Sequence, residues 1–480
     1  MIVRAQPGAG AATEALVHRL GGRVDHGLPL ISGFSAVVPP RAIDRLRAAR
    51  GVVSVTPNAA VHFASLSSMA AAATSSSLVL PSSRWRKALD DDPSVDGTGV
   101  TVALVDTGVA PVPELIGQVV AAVDLTPEGD GIDRYGHGTH IAGLIAANGV
   151  SARGLIAGVA PGAKLVLVKV AGGDGATDVS AVIAGIQWVI ANQTRYGIRV
   201  LNLSFGTDST APSATDPLDY AVEQAWKAGI VVVVSVGNRG PSPGTVDKPG
   251  DDPYVITVGA AYGPDDRTVV DVADFSGRGP TQDGFAKPDF LAPGVSVMSV
   301  RAPDSYADLT FPSARLGSTL FKGTGTSQST AEVSGVAALL LGAVPGLTPD
   351  QVKALLAATA GRGLVGAPGA GAGIVDGGAA LALALSGKPV PPANQGLTPS
   401  TGTGSLGDSR GEIRVTGPTG KPITREVNVT GKPFVAKTWS GDEWAAKTWS
   451  DNGWVAKTWS GVAWSIGKWS NRSWNARTRP

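Results

Sequence analysis

The chain has no cysteine among its 480 residues. That excludes disulfides, thiolate nucleophiles and cysteine-ligated metal sites together. It also has almost no net charge: 40 Lys and Arg stand against 39 Asp and Glu, so the charge balance points to no nucleic acid partner. No uninterrupted apolar run is long enough to span a bilayer. The most apolar stretch, around Val336 to Val344, reads as a buried helix. Histidine is scarce as well. Of five, His18, His26 and His62 lie within the first 62 residues, and only His137 and His140 lie beyond them. The start, Met1-Ile-Val-Arg-Ala-Gln, lacks the basic residues and apolar stretch of a secretory leader.

What is present divides the chain by composition. Residues 1–62 alternate strand-like and helical patterns: Ile2-Val-Arg, a helix through Leu16 and Leu20, Gly33-Phe-Ser-Ala-Val-Val, a helix over Arg41–Arg50, and Val52-Val-Ser-Val. With one more strand before Gly33, the order β-α-β-β-α-β predicts a small ferredoxin-like α+β unit. Residues 63–92 are Ala/Ser-rich and read as a linker. From 93 to 386, near-continuous apolar runs of strand length (Val100–Val105, Lys164–Val170, Arg199–Phe205, Ile230–Val236) alternate with helical patterns near 178–195, 217–228 and 348–359. Strands buried on both faces have this composition, so an α/β domain with a mainly parallel sheet is expected. A second linker is expected over 387–411 and a short β segment over 412–434. From Trp439 to Trp474, tryptophan recurs every fifth residue within 435–480, and eight of the chain's eleven tryptophans sit there.

Three segments of the α/β region carry groups suited to nucleophilic catalysis. His137 and His140 fall in Gly136-His-Gly-Thr-His-Ile-Ala-Gly, which opens a helix and lacks the His-Glu-x-x-His spacing of a metal pair. His140 suits a structural role. Asp106 ends a buried strand in Val105-Asp-Thr-Gly, where a carboxylate is costly without a partner such as an imidazole; a turn or cap aspartate is the other reading. Ser327 stands at a helix start in Gly323-Thr-Gly-Thr-Ser-Gln. It suits a plain N-cap, or a nucleophile whose product anion faces free N–H groups. Asn238 follows an apolar strand, where its carboxamide suits a turn or an oxyanion donor.

Taken together, Val105-Asp-Thr-Gly, His137-Gly-Thr-His-Ile-Ala-Gly, Gly237-Asn and Gly325-Thr-Ser, in the order Asp, His, Ser, resemble the subtilases. The likeness covers about 93–386. It implies a subtilisin-like fold and a serine endopeptidase acting on protein or peptide substrates through Asp106, His137 and Ser327, with Asn238 completing the oxyanion hole. Leu203-Ser204-Phe205-Gly206 and the Gly173-Asp-Gly-Ala segment with Gly175 resemble the two strands that clamp an extended substrate. Arg239 falls where the family forms part of its S1 pocket, and is expected to disfavour basic P1 residues. After the serine, Gln328-Ser-Thr-Ala-Glu departs from the family's Met-Ala-Ala-Pro-His.

Residues 1–62 resemble the subtilase propeptide, through Gly33-Phe-Ser-Ala and Pro57 after Val52-Val-Ser-Val-Thr. This implies a folding helper and temporary inhibitor, with autocleavage between about 60 and 95. Zymogens of this kind are usually exported, so a secreted or cell-surface protein is expected, with Met1 an internal start; a cytoplasmic member is the alternative. No cofactor is required, and structural calcium, which often stabilises the family, is left without assigned ligands. The tryptophan array carries eight Lys/Arg and three Asp/Glu over residues 431–480. Aromatic platforms beside cations suit polysaccharide or anionic cell-wall polymers. The rival functions are an inactive subtilase-fold scaffold and an adhesion protein that works through its tail.

Overall fold

The structure, a computed structural model, describes residues 1–56, 60–63, 95–150, 157–262, 271–364 and 366–404. The N-terminal unit runs β1 (Ile2–Ala5), α1 (Gly10–Arg19), β2 (Arg23–Leu28), β3 (Gly33–Val37), α2 (Ile43–Arg47) and β4 (Val52–Thr56), so the expected element order is present. Its four strands form an antiparallel sheet in the order β2-β3-β1-β4. Val3, Val17, Phe34, Leu46 and Val55 make a core of their own beneath it.

A further strand, β5 (Ala60–Phe63), leaves that sheet and joins the larger domain. There the chain continues through β6 (Thr101–Asp106), β7 (Val119–Asp124), α3 (His137–Ala146), β8 (Lys164–Lys169), β9 (Ala176–Asp178), α4 (Val179–Ala191) and α5 (Gln193–Tyr196). After these come β10 (Ile198–Leu203), β11 (Phe205–Gly206), α6 (Pro217–Lys227), β12 (Val231–Ser235), β13 (Ile256–Tyr262), β14 (Asp271–Val272) and β15 (Phe290–Pro293). The domain closes with β16 (Val297–Val300), α7 (Tyr306–Thr310), β17 (Arg315–Leu316), β18 (Leu320–Gly323), α8 (Thr326–Ala343), α9 (Pro349–Thr359) and α10 (Gly377–Leu385).

The main sheet has the order β14-β13-β12-β10-β6-β8-β7, with β15 beside β13. All of its pairs are parallel except β13–β14. Runs such as Val231–Ser235 are buried throughout, because helices flank the sheet and leave no polar face. From β6 the chain winds outward to β7 and β8, then crosses to the other side for β10, β12 and β13. In a parallel sheet this reversal opens a crevice at the carboxyl ends of the two central strands, here β6 and β10.

Helix starts follow local chemistry. Asp216 caps α6 by accepting from Leu218 N–H at 2.8 Å, with Pro217 in the first turn. Thr348 and Gln351 form a reciprocal capping box on α9. α8 is buried on all sides from Thr326 to Leu341, which marks it as the central helix. At Gly335, a Cβ would come within 2.5 Å of Val159, so α8 reaches its neighbours only with glycine there. The stretch after α10, loose in composition, has a fixed course as far as Gly404: Ser400 N–H donates to Glu223 Oε1 at 2.7 Å and Thr401 N–H to the Ala214 carbonyl at 2.8 Å. The rest of the 63–92 linker beyond Phe63, the 412–434 segment and the tryptophan array lie outside the described residues. Among the described residues, no helix is long and apolar enough to cross a membrane.

Charge is buried beside the sheet. Lys248 Nζ donates to Asp219 Oδ2 at 2.7 Å and to Asp251, with Asp216 Oδ2 3.9 Å away. Neighbouring Asp252 is fully buried, and that burial, with Glu223 nearby, pushes its carboxyl up to about 8. A carboxyl raised in the fold stabilises it fully at low pH, below about 4, and loses that contribution as pH rises through about 8. Thermal stability should therefore fall between pH 5 and 8.5, and Asp252→Asn should flatten the fall in a melting series over that range. An unchanged slope in the variant would mean that other groups set it.

Candidate active site

Asp106 is the last residue of β6, and one position beyond the Val105–Leu203 pair its neighbour across the crevice is Ser204, just past the end of β10. Asp106 Oδ1 accepts from Thr107 N–H at 2.8 Å and lies 2.7 Å from His137 Nδ1. Both side chains are about 1% exposed, so this contact operates away from water, where electrostatic interactions are strongest. His137 is the first residue of α3, and the approach there is close: a Cβ at Gly138 would fall 2.1 Å from the Gly108 carbonyl oxygen. The glycine of the His-Gly-Thr-His segment is thus a condition of the Asp–His contact.

Asp133 builds the support beneath this pair. Its Oδ1 accepts from Thr107 Oγ1 at 2.8 Å and Gly136 N–H at 2.7 Å, and its Oδ2 from Thr139 N–H at 2.8 Å and Thr139 Oγ1 at 2.7 Å. Thr107 Oγ1 accepts from Gly138 N–H at 2.9 Å. Asp133 therefore ties the turn after β6 to the first turn of α3. Sequence reasoning missed it, although an aspartate four residues before a helix-opening histidine is a readable start signal. Lys169, fully buried on β8 opposite Asp106, braces the same turn through the carbonyls of Thr107 (2.7 Å) and Ile132 (2.9 Å).

Ser327 lies in the first turn of α8, where the helix has unsatisfied N–H groups. Its Oγ donates to the Ser204 carbonyl at 3.1 Å, at the mouth of the crevice. Behind it, Ser334 Oγ donates to Asn202 Oδ1, and Asn202 Nδ2 to Ser204 Oγ, each at 2.9 Å. Asn238 follows β12, and its Oδ1 accepts from Thr326 N–H at 3.0 Å and Thr326 Oγ1 at 2.8 Å. This fixes the amide plane beside Ser327 with Nδ2 as its donor end. His140 is held below the site by the Phe321 carbonyl, 3.2 Å from Nε2. Burial, with His137 adding, pushes it down to about 3, so it stays neutral. Gln328 is fully buried, and its Nε2 and the His140 ring both crowd the place a Cβ would take on Gly323.

Of the Gly173-Asp-Gly-Ala segment, Ala176 opens the strand β9, Ala176–Asp178, and Gly175 precedes it at φ +73°, packed against the Tyr135 ring. Phe205 and Gly206 form β11, and Leu203 is a fully buried core residue of β10. Ser204 contributes its carbonyl. Between β9 and β11 lies β5, antiparallel to both: Gly206 pairs with His62, Phe205 with Phe63, and Ala176 with His62. Arg239 is exposed at the surface, and its Nε donates to Asp247 Oδ1 at 2.5 Å.

An Asp–His pair and a helix-start serine at the carboxyl ends of β6 and β10 define a hydrolase-type site on a parallel α/β domain. Residues 97–397 match the model of the subtilase family, and the chain belongs to that family. It is 44% identical over 274 residues to serine protease AprX of Bacillus subtilis (strain 168), a span covering 55% of this chain and 61% of AprX. It is 35% identical over 266 residues to subtilisin DY of Bacillus licheniformis, covering 55% of this chain and 84% of that protein. With M-protease of Shouchella clausii (strain KSM-K16) the figures are 37% over 284 residues, covering 57% and 64%.

Proposed function

We propose that the chain is a serine endopeptidase made as a self-inhibited zymogen. The observation that carries this is the buried 2.7 Å contact between His137 and Asp106, set across the crevice from Ser327. Ser327 Oγ attacks the scissile carbonyl and passes its proton to His137, which hands it to the departing amine. Water then repeats the sequence to release the acyl group. Asp106 keeps the proton of the resting imidazole on Nδ1 and stabilises the cation. Asn238 Nδ2 and the Ser327 N–H stabilise the oxyanion. A fluorophosphonate probe should label Ser327 and nothing else; label mapped to another residue would overturn the assignment.

β5 supports the zymogen reading, because it takes the place an extended substrate would occupy. The chain runs along β5 from Gly206 toward Phe205, and so toward the Ser204 carbonyl. That direction supports a first cut on the C-terminal side of Phe63. Secretion follows from the same reading, since a stored inhibitor suits an enzyme released before it acts. Among the described residues no group of three or more acidic or imidazole side chains is placed to hold a metal ion, and buried Asp219 and Asp251 are served by the Lys248 ammonium.

Specificity turns on Arg239 and Asp247. A Cβ on Gly237 would fall 2.1 Å from Asp247 Oδ2, and one on Gly206 would fall 2.8 Å from Asp247 Cβ. Asp247 therefore fills the wall between the cleft strand and the residue before Asn238, and Arg239 neutralises it. A neutral wall favours uncharged P1 side chains. Arg239→Gln removes the cation that holds the buried Asp247 carboxyl down against its burial, so a P1 peptide library run at alkaline pH, where that carboxyl is ionised, should gain Lys and Arg about tenfold. A profile that does not move would show that the pair is remote from P1. The tryptophan array, with its aromatic and basic composition, supports attachment to polysaccharide or anionic cell-wall polymer. Pull-down by full-length chain, lost on deletion from Gly431, is the expected result.

A further inference from the structure

Among the described residues, the N-terminal unit touches the larger domain at three places. β5 is the first. The second is apolar: Ile2, Leu28 and Ile31 belong to the same buried cluster as the main core, and Leu30 N–H donates to Gln187 Oε1 of α4 at 3.2 Å. The third is Arg4 of β1, only 7% exposed. Its guanidinium lies 5.6 Å from the centre of the Tyr220 ring on α6. Nε donates to the Ile31 carbonyl at 2.7 Å, within the unit. Nη1 donates to the Thr401 carbonyl at 3.3 Å, nearly four hundred residues away in the chain.

Thr401 belongs to the segment 388–404, and that segment is pinned along its length. Asn394 Nδ2 donates to the Tyr254 carbonyl and to Asp350 Oδ1, both at 2.9 Å. The Tyr254 hydroxyl donates to the Leu397 carbonyl at 2.8 Å. The bonds from Ser400 to Glu223 and from Thr401 to Ala214 follow, and Gly404 N–H donates to the Thr215 carbonyl at 2.6 Å. Gly402, at φ +56°, lies directly on Tyr220, where a Cβ would come within 2.7 Å of the Tyr220 Cβ. The segment thus holds the Thr401 carbonyl still and seats itself on the ring that Arg4 also faces.

We propose that the 388–404 segment is a latch on the N-terminal unit, holding it on the domain through the Thr401 carbonyl and the buried Arg4 guanidinium. A buried cation that loses an acceptor keeps the cost of its desolvation without the compensating bond. Removing or displacing the segment therefore weakens docking of the unit, by about tenfold for one charge-assisted bond of this length. Both ends of the chain take part in latency, and events beyond Gly404 become able to influence release. That consequence rests on the reading of residues 1–62 as an inhibitor; the latch itself does not.

The test uses the full chain carrying Ser327→Ala, so that nothing is cut. Hydrogen exchange of the Leu30 amide reports docking, because its acceptor lies across the interface. Amides of β1 and β3 report whether the unit itself stays folded. Ending the chain after Leu397, Gly402→Ala, and Arg4→Met should each speed Leu30 exchange about tenfold while β1 and β3 stay protected. Gly402→Ala combined with Arg4→Met should do no more than Arg4→Met alone. Unchanged Leu30 exchange on truncation and in Gly402→Ala would overturn the latch, as would effects that multiply in the double variant. If the processed enzyme proves insensitive to its own N-terminal unit, the inhibitor reading falls while the exchange result stands.

Discussion

Ser327→Ala should lower turnover on casein by about a million-fold, a scale set by a subtilisin of the same family and carried over to this chain. On the proposed zymogen reading, in which the first cut is self-inflicted, the variant should also accumulate as one uncut species of 48.4 kDa. Its fold should be nearly unaffected. The Ser327 hydroxyl makes a single 3.1 Å hydrogen bond to the Ser204 carbonyl, worth about 1 kcal/mol. The pairing of a vast kinetic loss with a small stability loss is the signature to look for, by casein assay and thermal melt on one preparation. Retained hydrolysis, or processing between 60 and 95 in the variant, would assign the chemistry elsewhere. The same pair of measurements separates an enzyme from an inactive scaffold, because wild-type chain freed of its N-terminal unit and still inactive on casein fits the scaffold.

Asp106→Asn should cost about ten-thousand-fold in turnover with little change in structure. The reason lies in the donors around Oδ1. Thr107 N–H and the Nδ1 side of His137 both converge on that atom. A carboxamide that turns its oxygen to these donors still accepts, but no longer carries the charge that balances an imidazolium. Turned the other way, it sets an N–H against an N–H and forces the proton of His137 to Nε2, the nitrogen that must receive one. Single-turnover measurements should place the loss in acylation, with substrate binding nearly intact. A deficit confined to KM would point to a scaffolding role for Asp106.

The fold was legible where composition and location coincide. Apolar runs such as Val231–Val234 could be nothing but buried strands, and Asp216-Pro217 and Thr348-Pro349 announce helix starts. Asp106, His137, Ser327 and Asn238 stood out because their motifs together, in that chain order, resemble the subtilases; each alone equally suited a turn, a cap or a structural role. Asn202 and Ser334 did not stand out. Their work is done by hydrogen bonds to segments distant in the chain, and nothing local distinguishes them from ordinary polar residues. Arg239 shows the same limit from the other side. Its position along the chain was informative, but its partner, Asp247, depends on how two loops fold back. The Pro/Gly/Thr-rich stretch after α10 read as a linker because composition reports side-chain burial; its order comes from backbone groups donating to the domain.

β5 carries one more consequence. When it departs, β9 and β11 are left as two facing edges with a gap one strand wide, and each edge offers main-chain donors and acceptors in a fixed register. Such a gap reads shape before it reads side chains. Only a polypeptide able to lie straight for several residues fits, and most segments of a well-packed protein are committed to their own helices and sheets. On the proposed reading, targets would be chosen by how readily they come undone, and a rise in temperature or loss of a ligand in a target protein would make it a substrate without altering any residue at the cut.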